Sequence, residues 1–301
     1  MMRQKVLQVT ERATATQALK RITAGHQLIK GDDGITYVVF AAQPRNRKPE
    51  AVKPDTTTEP KVFRDPFAQE HLEQDLFVAQ LHDTHNVVLN KFNVVDEHVV
   101  LPTIELEQQE TPLTTADLKA MWTAMEQLDA FAFFNCGDES GASQPHKHMQ
   151  LISYPSMESY TGQRMPPLLQ FIHDLLQRQP PSAGIVQLPE IPFFHLLHRI
   201  SLPSDVPIDE CAEKLQAIYQ QMLNEMNLSS YARDAPVAYN LLLTSSFLFM
   251  IPRKCQAYLG MEVNSIGFIG SFLTRNEEQL AFLKTTGPME LLRQVTFPPL
   301  K

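Results

Sequence analysis

The run Gly141-Ala142-Ser143-Gln144-Pro145-His146-Lys147-His148-Met149-Gln150, continued by LISY to Tyr154, holds the densest polar cluster of the 301-residue chain. After a loop of small residues, HKHMQLISY (146–154) is typical of a strand, whose side chains alternate between two faces. One face then carries His146, His148 and Gln150, and the other carries Lys147, Met149 and Leu151. Neighbours on one face lie about 7 Å apart, twice the rise per residue. Two imidazoles and an amide are costly to bury without partners, so we expect the first face to line a cleft.

This row of polar groups suits attack on phosphorus. A neutral imidazole is a good nucleophile near pH 7, because its ordinary pKa is about 6.5. A second ring or a backbone carbonyl can fix its tautomer. Gln150 can donate its amide to a phosphoryl oxygen, and the loop 141–144 lets backbone N–H groups approach phosphate closely. Asn135, at the end of the preceding predicted strand, can face the same cleft.

Other interpretations of the histidine pair remain open at this point. A bare H-x-H is weakly specific, since many such pairs are core or surface histidines. Two strand histidines at i and i+2 could also share a metal ion. That site would need a third ligand, such as His82, His85, His98 or a carboxylate, and nothing at close spacing supplies one. The full string S-Q-P-H-x-H-x-Q is far more specific than the pair alone.

Outward from this segment, strands and helices alternate irregularly. Helices are predicted over about 5–23, in TTADLKAMWTAMEQL with a Thr/Asp cap, in LLQFIHDLLQRQ, in DECAEKLQAIYQQMLNEM and in EEQLAFLKTT. Strands are predicted in ITYVVFAA, FAFFNCG, PFFHLLHRI, AYNLLLTSS and FLFMIPR. The pattern predicts an α+β fold with a largely antiparallel sheet. No G-x-G-x-x-G opens a helix after a strand, so a Rossmann fold is not indicated.

Proline content suggests how the chain divides. Pro155, Pro166, Pro167, Pro180 and Pro181 punctuate the middle of the chain. We predict an N-terminal domain over 1–160 that carries the H-x-H-x-Q site, a connector over 161–189 and a C-terminal domain over 190–301. A Pro-, Lys- and Thr-rich stretch from Pro44 to Pro60 is predicted to be an exposed loop.

Composition restricts partners and compartment. The formal net charge is -8 at pH 7, which disfavours non-specific binding to nucleic acid or to an anionic membrane. The positive charge that binds a phosphorylated substrate must therefore be concentrated at the binding site. The cysteines, Cys136, Cys211 and Cys255, form no C-x-x-C pair, so neither a disulfide framework nor a cysteine-based zinc site is expected. With no secretory signal and no apolar span long enough for a bilayer, a cytoplasmic enzyme is the expectation.

The site segment closely resembles that of the histidine-triad superfamily, in the galactose-1-phosphate uridylyltransferase-like branch in which Gln replaces the third His. Within it, the chain is most similar to the diadenosine tetraphosphate phosphorylases, also called ATP adenylyltransferases. The likeness extends to VVLNKFNVVDEHVVLPT (87–103), AYNLLLTSSFLFMIPR (238–253) and VNSIGFIGSFLTRNEEQLAFLKTTGPMELLRQV (263–295). It covers about residues 35–298, with the motifs in order.

The resemblance implies roles for individual residues. His148 would be the nucleophile that becomes adenylylated, Gln150 would contact the attacked phosphate, and His146 would support the site. The implied substrate-binding residues are Lys48, Asn90, Lys91, Asn135, Gly141, Ala142, Ser143, Gln144, Gln150, Asn264, Ser265, Ile266, Ser271 and Arg275. Lys53 competes with Lys48 for its role. Ser271 stands where the family usually has Met, and Arg275 where it has Lys, which bears on base or acceptor preference.

The resemblance also implies a histidine-triad-like antiparallel sheet with flanking helices, extended by a C-terminal segment. The implied activity is reversible phosphorolysis of diadenosine tetraphosphate to ATP and ADP through a nucleotidyl-histidine. Mg²⁺ would travel with the polyphosphate. Alternatives are a hydrolase that uses water instead of phosphate, a nucleotide-sugar transferase and a catalytically silent nucleotide sensor. Base preference and oligomeric state stay open.

Several other features have simpler interpretations. His195 and His198, in an apolar strand-like run, are expected to be structural. Trp122 and the phenylalanines Phe131, Phe133 and Phe134 are expected in the core. Asp65-Pro66-Phe67 resembles a family turn to which the sequence assigns no role.

Overall fold

The computed structural model describes residues 2–42, 64–179, 184–203, 205–232 and 236–300, which form seven α-helices and fourteen strands. The helices are α1 (Met2–Ala15), α2 (Thr115–Leu128), α3 (Tyr154–Thr161), α4 (Pro167–Arg178), α5 (Ile208–Leu228), α6 (Glu277–Thr285) and α7 (Pro288–Val295). The strands are β1 (Ala24–Lys30), β2 (Thr36–Ala42), β3 (Phe77–Leu81), β4 (His85–Leu89), β5 (His98–Pro102), β6 (Ala130–Cys136), β7 (His148–Ser153), β8 (Ile185–Val186), β9 (Leu196–Arg199), β10 (Tyr239–Leu243), β11 (Phe247–Pro252), β12 (Ala257–Tyr258), β13 (Met261–Glu262) and β14 (Ser271–Thr274).

Across the described ranges, nine strands form one antiparallel sheet in the order β3-β4-β5-β7-β6-β10-β11-β9-β8. This confirms the predicted α+β class. The pair β6–β10 joins strands from the predicted N- and C-terminal domains, so both contribute to one continuous sheet. The division at 160 and 190 itself stays a prediction.

A second sheet joins distant parts of the chain. In it, β2 pairs with β1 in antiparallel fashion and with β14 in parallel fashion. Strands β12 and β13 form a separate short hairpin. The C-terminal segment is therefore held against the N-terminal segment by backbone hydrogen bonds.

The nine-stranded sheet has two apolar faces, because side chains alternate along each strand. The α2 face packs against α1, α2 and α5 through residues such as Phe134, Met149 and Leu241. The α4 face shares a second core with α4, α7 and the small sheet, through residues such as Phe133 and Ile152. Each fully buried large apolar side chain contributes about 1.5–3 kcal/mol to folding. Trp122 and the three phenylalanines expected in the core are all buried.

Local sequence explains where α2 begins. The Thr114 hydroxyl accepts a hydrogen bond from the backbone N–H of Asp117, and the Asp117 carboxylate accepts one from the N–H of Thr114. This reciprocal cap satisfies two donors that the first helical turn leaves without partners. It confirms the predicted Thr/Asp start.

The predicted first helix was too long. α1 ends at Ala15 rather than near residue 23. Ala18 and Ile22 are still buried, but in an extended segment whose N–H groups at Lys20 and Ile22 donate to the carbonyls of Lys91 and Asn93. Pairing with this neighbouring segment overrode the helical spacing of the apolar residues.

Two further segments complete the comparison with the sequence. The predicted connector contains α4 and begins at the last residue of α3, and both helices are packed into the second core. The predicted loop Pro44–Pro60 lies outside the described residues. In the ranges that can be described, no helix is both long and apolar enough to cross a membrane.

Candidate active site on the α4 face

The site forms where β6 and β7 separate. Their last paired residues are Phe133 and Gln150, so Asn135 and His148 lie beyond the ladder. Gln109, which is 1% exposed, bridges the gap. Its amide nitrogen donates to the carbonyls of Asn135 (2.7 Å) and His148 (3.3 Å), and its oxygen accepts from the N–H of His148 (2.9 Å). Gln109 is not predicted from the sequence, because no local pattern links it to β7.

The His148 ring has a defined tautomer. Its Nδ1 lies 2.8 Å from the backbone carbonyl of His146. A carbonyl can only accept, so Nδ1 carries the proton, and the lone pair of the neutral ring is on Nε2. This is the state that a nucleophilic imidazole needs.

His146 is fixed at both ring nitrogens. Nδ1 lies 2.6 Å from Oδ2 of Asp65, and Nε2 lies 2.8 Å from the Thr103 carbonyl and 3.1 Å from the Thr103 hydroxyl. The ring is 1% exposed. Since both nitrogens are engaged, His146 reaches the nucleophile through its backbone carbonyl. The supporting role that the resemblance implies for His146 stays a prediction.

The turn Asp65-Pro66-Phe67 joins this site. The N–H of Phe67 donates to Oδ1 of Asp65 (2.9 Å), which leaves Oδ2 for His146. The Phe67 ring packs against both histidines, with centroid distances of 5.9 Å to His146 and 5.3 Å to His148. The sequence alone assigns this turn no role, because nothing local relates it to His146, 81 residues further along the chain.

Gln150 is oriented by His98. The Gln150 oxygen lies 2.8 Å from Nε2 of His98. Burial lowers the pKa of His98 to about 4, against the opposing effect of its hydrogen bond to Gln150. The ring is therefore neutral at pH 7 and donates from Nε2, because an amide oxygen only accepts. The NH₂ end of Gln150 is left as the end that can donate to a phosphoryl oxygen.

The loop 137–144 is shaped by glycine. A 3₁₀ turn, Asp138–Ser140, lies between Gly137 and Gly141, whose φ angles are 84° and 82°. A Cβ atom at Gly141 would lie 2.9 Å from Cβ of Asn264, so a side chain there would displace a predicted substrate-binding residue. Gly141, Ala142 and Gln144 are half-buried and Ser143 is exposed. Oε1 of Gln144 is buried and has no hydrogen-bond partner among the residues described.

The predicted substrate-binding triplet 264–266 contacts this loop region through Asn135. Oδ1 of Asn135 accepts from the N–H (3.0 Å) and hydroxyl (2.7 Å) of Ser265 and from the amide of Asn240 (2.8 Å). The N–H of Ile266 donates to Oδ1 of Asn264 (2.9 Å). Residues about 130 apart in the chain are thus brought together.

The remaining predicted site residues lie further out. The Asn90 amide lies 3.3 Å from the His98 ring nitrogens and so adjoins the Gln150 group. Lys91 is partly exposed and forms a 2.7 Å ion pair with Glu73. Lys48 and its competitor Lys53 lie outside the described residues.

The two positions that depart from the family pattern are on the small sheet or beside it. Ser271 is buried in β14 opposite Val38. Arg275 follows β14 and pairs with Glu262 at 2.7 Å. Their roles stay predictions.

The histidines weighed as metal ligands have other partners. His82 contacts the Thr123 hydroxyl, His85 contacts Asp117, and His98 contacts Gln150. No group of three His, Cys, Asp or Glu side chains in the described ranges could hold a metal ion.

The three cysteines are free, and His195 and His198 have structural settings. His195 is buried between the Phe193 carbonyl and the Leu188 N–H, and burial lowers its pKa to about 4. His198 contacts the Arg199 carbonyl through Nδ1. These contacts agree with the structural role expected for both.

Lys147 points to the opposite, α2 face and is fully buried. Its ammonium forms ion pairs with Asp117 (2.6 Å) and Glu107 (3.0 Å) and donates to the Pro112 carbonyl (3.0 Å). Asp117 also accepts from His85 at 2.9 Å. The residue between the two site histidines thus anchors β7 to the first turn of α2.

Family models match most of the chain. Residues 1–172 match the Ap4A phosphorylase N-terminal domain, and residues 189–298 match the ATP adenylyltransferase C-terminal domain. A Saccharomyces cerevisiae protein named diadenosine 5',5'''-P1,P4-tetraphosphate phosphorylase 2 is 28% identical over 256 residues, which cover 76% of this chain and 75% of that protein.

Solved structures show the same fold. Yeast Ap4A phosphorylase Apa2 in complex with AMP superposes with a TM-score of 0.80 at 24% identity, covering 100% of this chain and 98% of the other. The same yeast enzyme in complex with Ap4A gives a TM-score of 0.78 at 25% identity with the same coverage.

Proposed function

The chain belongs to the Ap4A phosphorylase family, and we propose that it is a nucleotidyltransferase that catalyses reversible phosphorolysis of diadenosine tetraphosphate to ATP and ADP. Both family domains are present in order, and the H-x-H-x-Q segment is intact. The substrate is taken from the names of the yeast relatives.

In the first step, Nε2 of His148 attacks the α-phosphorus of the dinucleotide. The N–P bond forms, the bond from that phosphorus to the bridging oxygen breaks, and ATP leaves. The ring becomes cationic, and the His146 carbonyl, already an acceptor for Nδ1–H, binds the cation more strongly than the neutral ring. The amide of Gln150 donates to the phosphoryl oxygen as its charge grows.

In the second step, an oxygen of inorganic phosphate attacks the same phosphorus from the side that ATP has left. The N–P bond breaks, ADP leaves, and the electron pair returns to Nε2 of His148. Two displacements replace one difficult exchange between polyphosphate anions. The reverse sequence makes the dinucleotide from ATP and ADP.

The proposal rests on the fixed orientations of two side chains at the cleft, those of His148 and Gln150. The Nδ1–H contact puts the His148 lone pair on Nε2, and His98 turns the NH₂ of Gln150 outward. Oε1 of Gln144, which has no hydrogen-bond partner in the described part of the chain, offers a further acceptor to a ligand donor such as a ribose hydroxyl. A silent sensor would not need a defined nucleophile tautomer.

Mg²⁺ belongs to the same proposal as a companion of the substrate, because hard phosphate oxygens prefer it. Since no three-residue metal-binding group occurs in the described ranges, the polyphosphate oxygens would be its ligands. Small nucleotides and phosphate, rather than nucleic acid, are the proposed partners, and a cytoplasmic location is proposed from the sequence.

The test is intact-protein mass spectrometry after brief incubation with diadenosine tetraphosphate without phosphate, quenched without acid because phosphoramidates are acid-labile. We expect a mass gain of one adenylyl group in the unmodified chain and none in His148→Ala. Added phosphate should discharge the adduct as ADP.

Each other outcome changes the proposal in a defined way. Discharge by water at the same rate as by phosphate would make the enzyme a hydrolase. Nucleotide binding without adduct or turnover would make it a sensor. An adduct that persists in His148→Ala would assign the nucleophile to another residue.

A further inference from the structure

An acidic chain that binds a polyphosphate needs local positive charge, yet among the described residues most lysines and arginines near the site are paired with carboxylates. Lys91 pairs with Glu73, Arg275 with Glu262, and Lys147 with Asp117 and Glu107. The first two pairs are also exposed to solvent, which weakens their fields.

Arg253 is different. It is 2% exposed, and within the described ranges it forms no ion pair with a carboxylate. Its guanidinium donates instead to neutral oxygens. These are the carbonyls of Val295, Ser140, Cys255 and Gln256 and the side-chain oxygen of Asn240.

The protonated state of Arg253 follows from this environment. Burial lowers its pKa to about 9, which leaves the side chain charged at pH 7. Among the described residues, only neutral groups accept hydrogen bonds from Arg253, so no carboxylate in contact with it offsets its positive charge. A buried charge without a counter-charge costs stability, which favours a functional explanation over a purely structural one.

Arg253 lies directly beneath the loop 137–144. Ser140, which accepts from Arg253 at 3.4 Å, is the residue before Gly141. Arg253 also lies over the Phe268 ring at 5.2 Å, next to the triplet 264–266. Arg253 donates to the side-chain oxygen of Asn240, and the Asn240 amide donates to Asn135 on the neighbouring strand, so hydrogen bonds connect the three side chains.

Building on the proposed function, we propose that Arg253 is a specificity-determining residue for polyphosphate. Its uncompensated charge makes the loop 137–144 favourable for anions, and the preference increases with the number of substrate phosphates. Arg253 acts through the loop and its field and does not touch the substrate. Glu139, on the same turn, is exposed to solvent and opposes this field only weakly.

The test measures how affinity depends on ligand charge. AMP, ADP and ATP are titrated calorimetrically, without Mg²⁺, into chains that carry His148→Asn to prevent adenylyl transfer. Arg253→Gln should lose about two- to fourfold in affinity for each added phosphate charge, for a separation of about 10 Å and an effective dielectric constant of about 40. Arg253→Lys keeps the charge and should keep the increase from AMP to ATP.

Lys147→Met is the matched control, since it removes a buried cation that is already neutralised. It should lower the melting temperature without changing the ratio of ATP to AMP affinity. If Arg253→Gln does not fold, Arg253→Lys still decides, because loss of the ATP preference in that folded, charged variant would overturn the proposal.

Two failures are distinguishable. Equal fold-losses for AMP, ADP and ATP in Arg253→Gln would make Arg253 a structural residue only, with the proposed function unaffected. Absence of nucleotide binding when Arg253 is intact would overturn the proposed function and this inference with it.

Discussion

Among the described residues, each of the two faces of the nine-stranded sheet buries one lysine or arginine side chain, and the two side chains have different partners. On the α2 face, Lys147 lies between carboxylates, and one of these, Asp117, is itself buried and held by His85. On the α4 face, Arg253 is surrounded by carbonyl and amide oxygens. The structural face pairs its cation with carboxylates, whereas on the face of the proposed active site the buried cation has no carboxylate partner among the described residues. Substitutions on the first face should therefore cost stability, and substitutions on the second should cost activity.

The largest expected effect is on the α2 face. Asp117→Ala leaves Lys147 and His85 without their shared buried partner and removes a helix cap. Unpairing a buried charge costs about 3–5 kcal/mol, which urea unfolding would measure.

The double variant Asp117→Leu/Lys147→Met is the control, because it replaces both charges with apolar groups. It should be more stable than Asp117→Ala alone. If it is no more stable, the network does not act as an ion pair, and the contrast with Arg253 is lost.

On the α4 face, Gly141→Ala should reduce kcat/KM by about 10- to 100-fold, or about 1.4–2.7 kcal/mol. The new Cβ would push against Asn264 at 2.9 Å. Gly162→Ala is the control, since Gly162 has a φ of +70° with nothing within 4 Å of a Cβ. Both variants carry similar backbone strain, and only the first should lose activity. Equal losses would show that strain, and not the contact with Asn264, is responsible.

His98 gives a test of the α4 face through pH. Its folded pKa of about 4 lies below the ordinary value of 6.5. As pH falls from about 6.5 towards 4, the unfolded chain takes up a proton that the folded chain does not, so stability is lost over that window. His98→Gln keeps a donor for Gln150 without this titration. Between pH 7 and pH 5, the unmodified chain should lose about 1–2 kcal/mol more unfolding free energy than the His98→Gln variant. If both proteins lose the same unfolding free energy over this pH interval, His98 does not have the lowered pKa of a buried neutral ring.

The smallest expected effect is at Asp65. Asp65→Asn keeps an oxygen near His146 but loses the charge, so kcat should fall about tenfold with little change in KM. Asp33→Asn is closely matched, because Asp33 also accepts from a backbone N–H two residues later and from a side chain, the Tyr37 hydroxyl. It should leave kcat unchanged. If both variants lose kcat equally, the contact with His146 has no specific role.

Local patterns predicted the parts of this molecule that depend on neighbours in sequence. The alternation around His148, the Thr114 cap and the strands β6, β9, β10 and β11 follow from spacing and residue type. The inclusion of Asn135 and Ser265 among the substrate-binding residues rested on the family resemblance, which did not predict the hydrogen bond between them. Asp65, Gln109 and Arg253 could not be found this way, because each acts through side-chain contacts with distant segments that leave no periodic signal. The error in the first helix has the same origin, since pairing of 18–22 with distant residues decided its end.

The parallel pairing of β14 with β2 has a consequence for how the enzyme is made. The Thr274 hydroxyl donates to the Phe40 carbonyl across 234 positions of the chain. Closing so large a loop is slow relative to local structure, because its entropic cost comes before the contacts that offset it. On a ribosome the first half of the sheet can form early, whereas the nucleotide cleft waits for the last strands to emerge. Each newly synthesised molecule therefore becomes able to bind its ligand only after its last strands have been made.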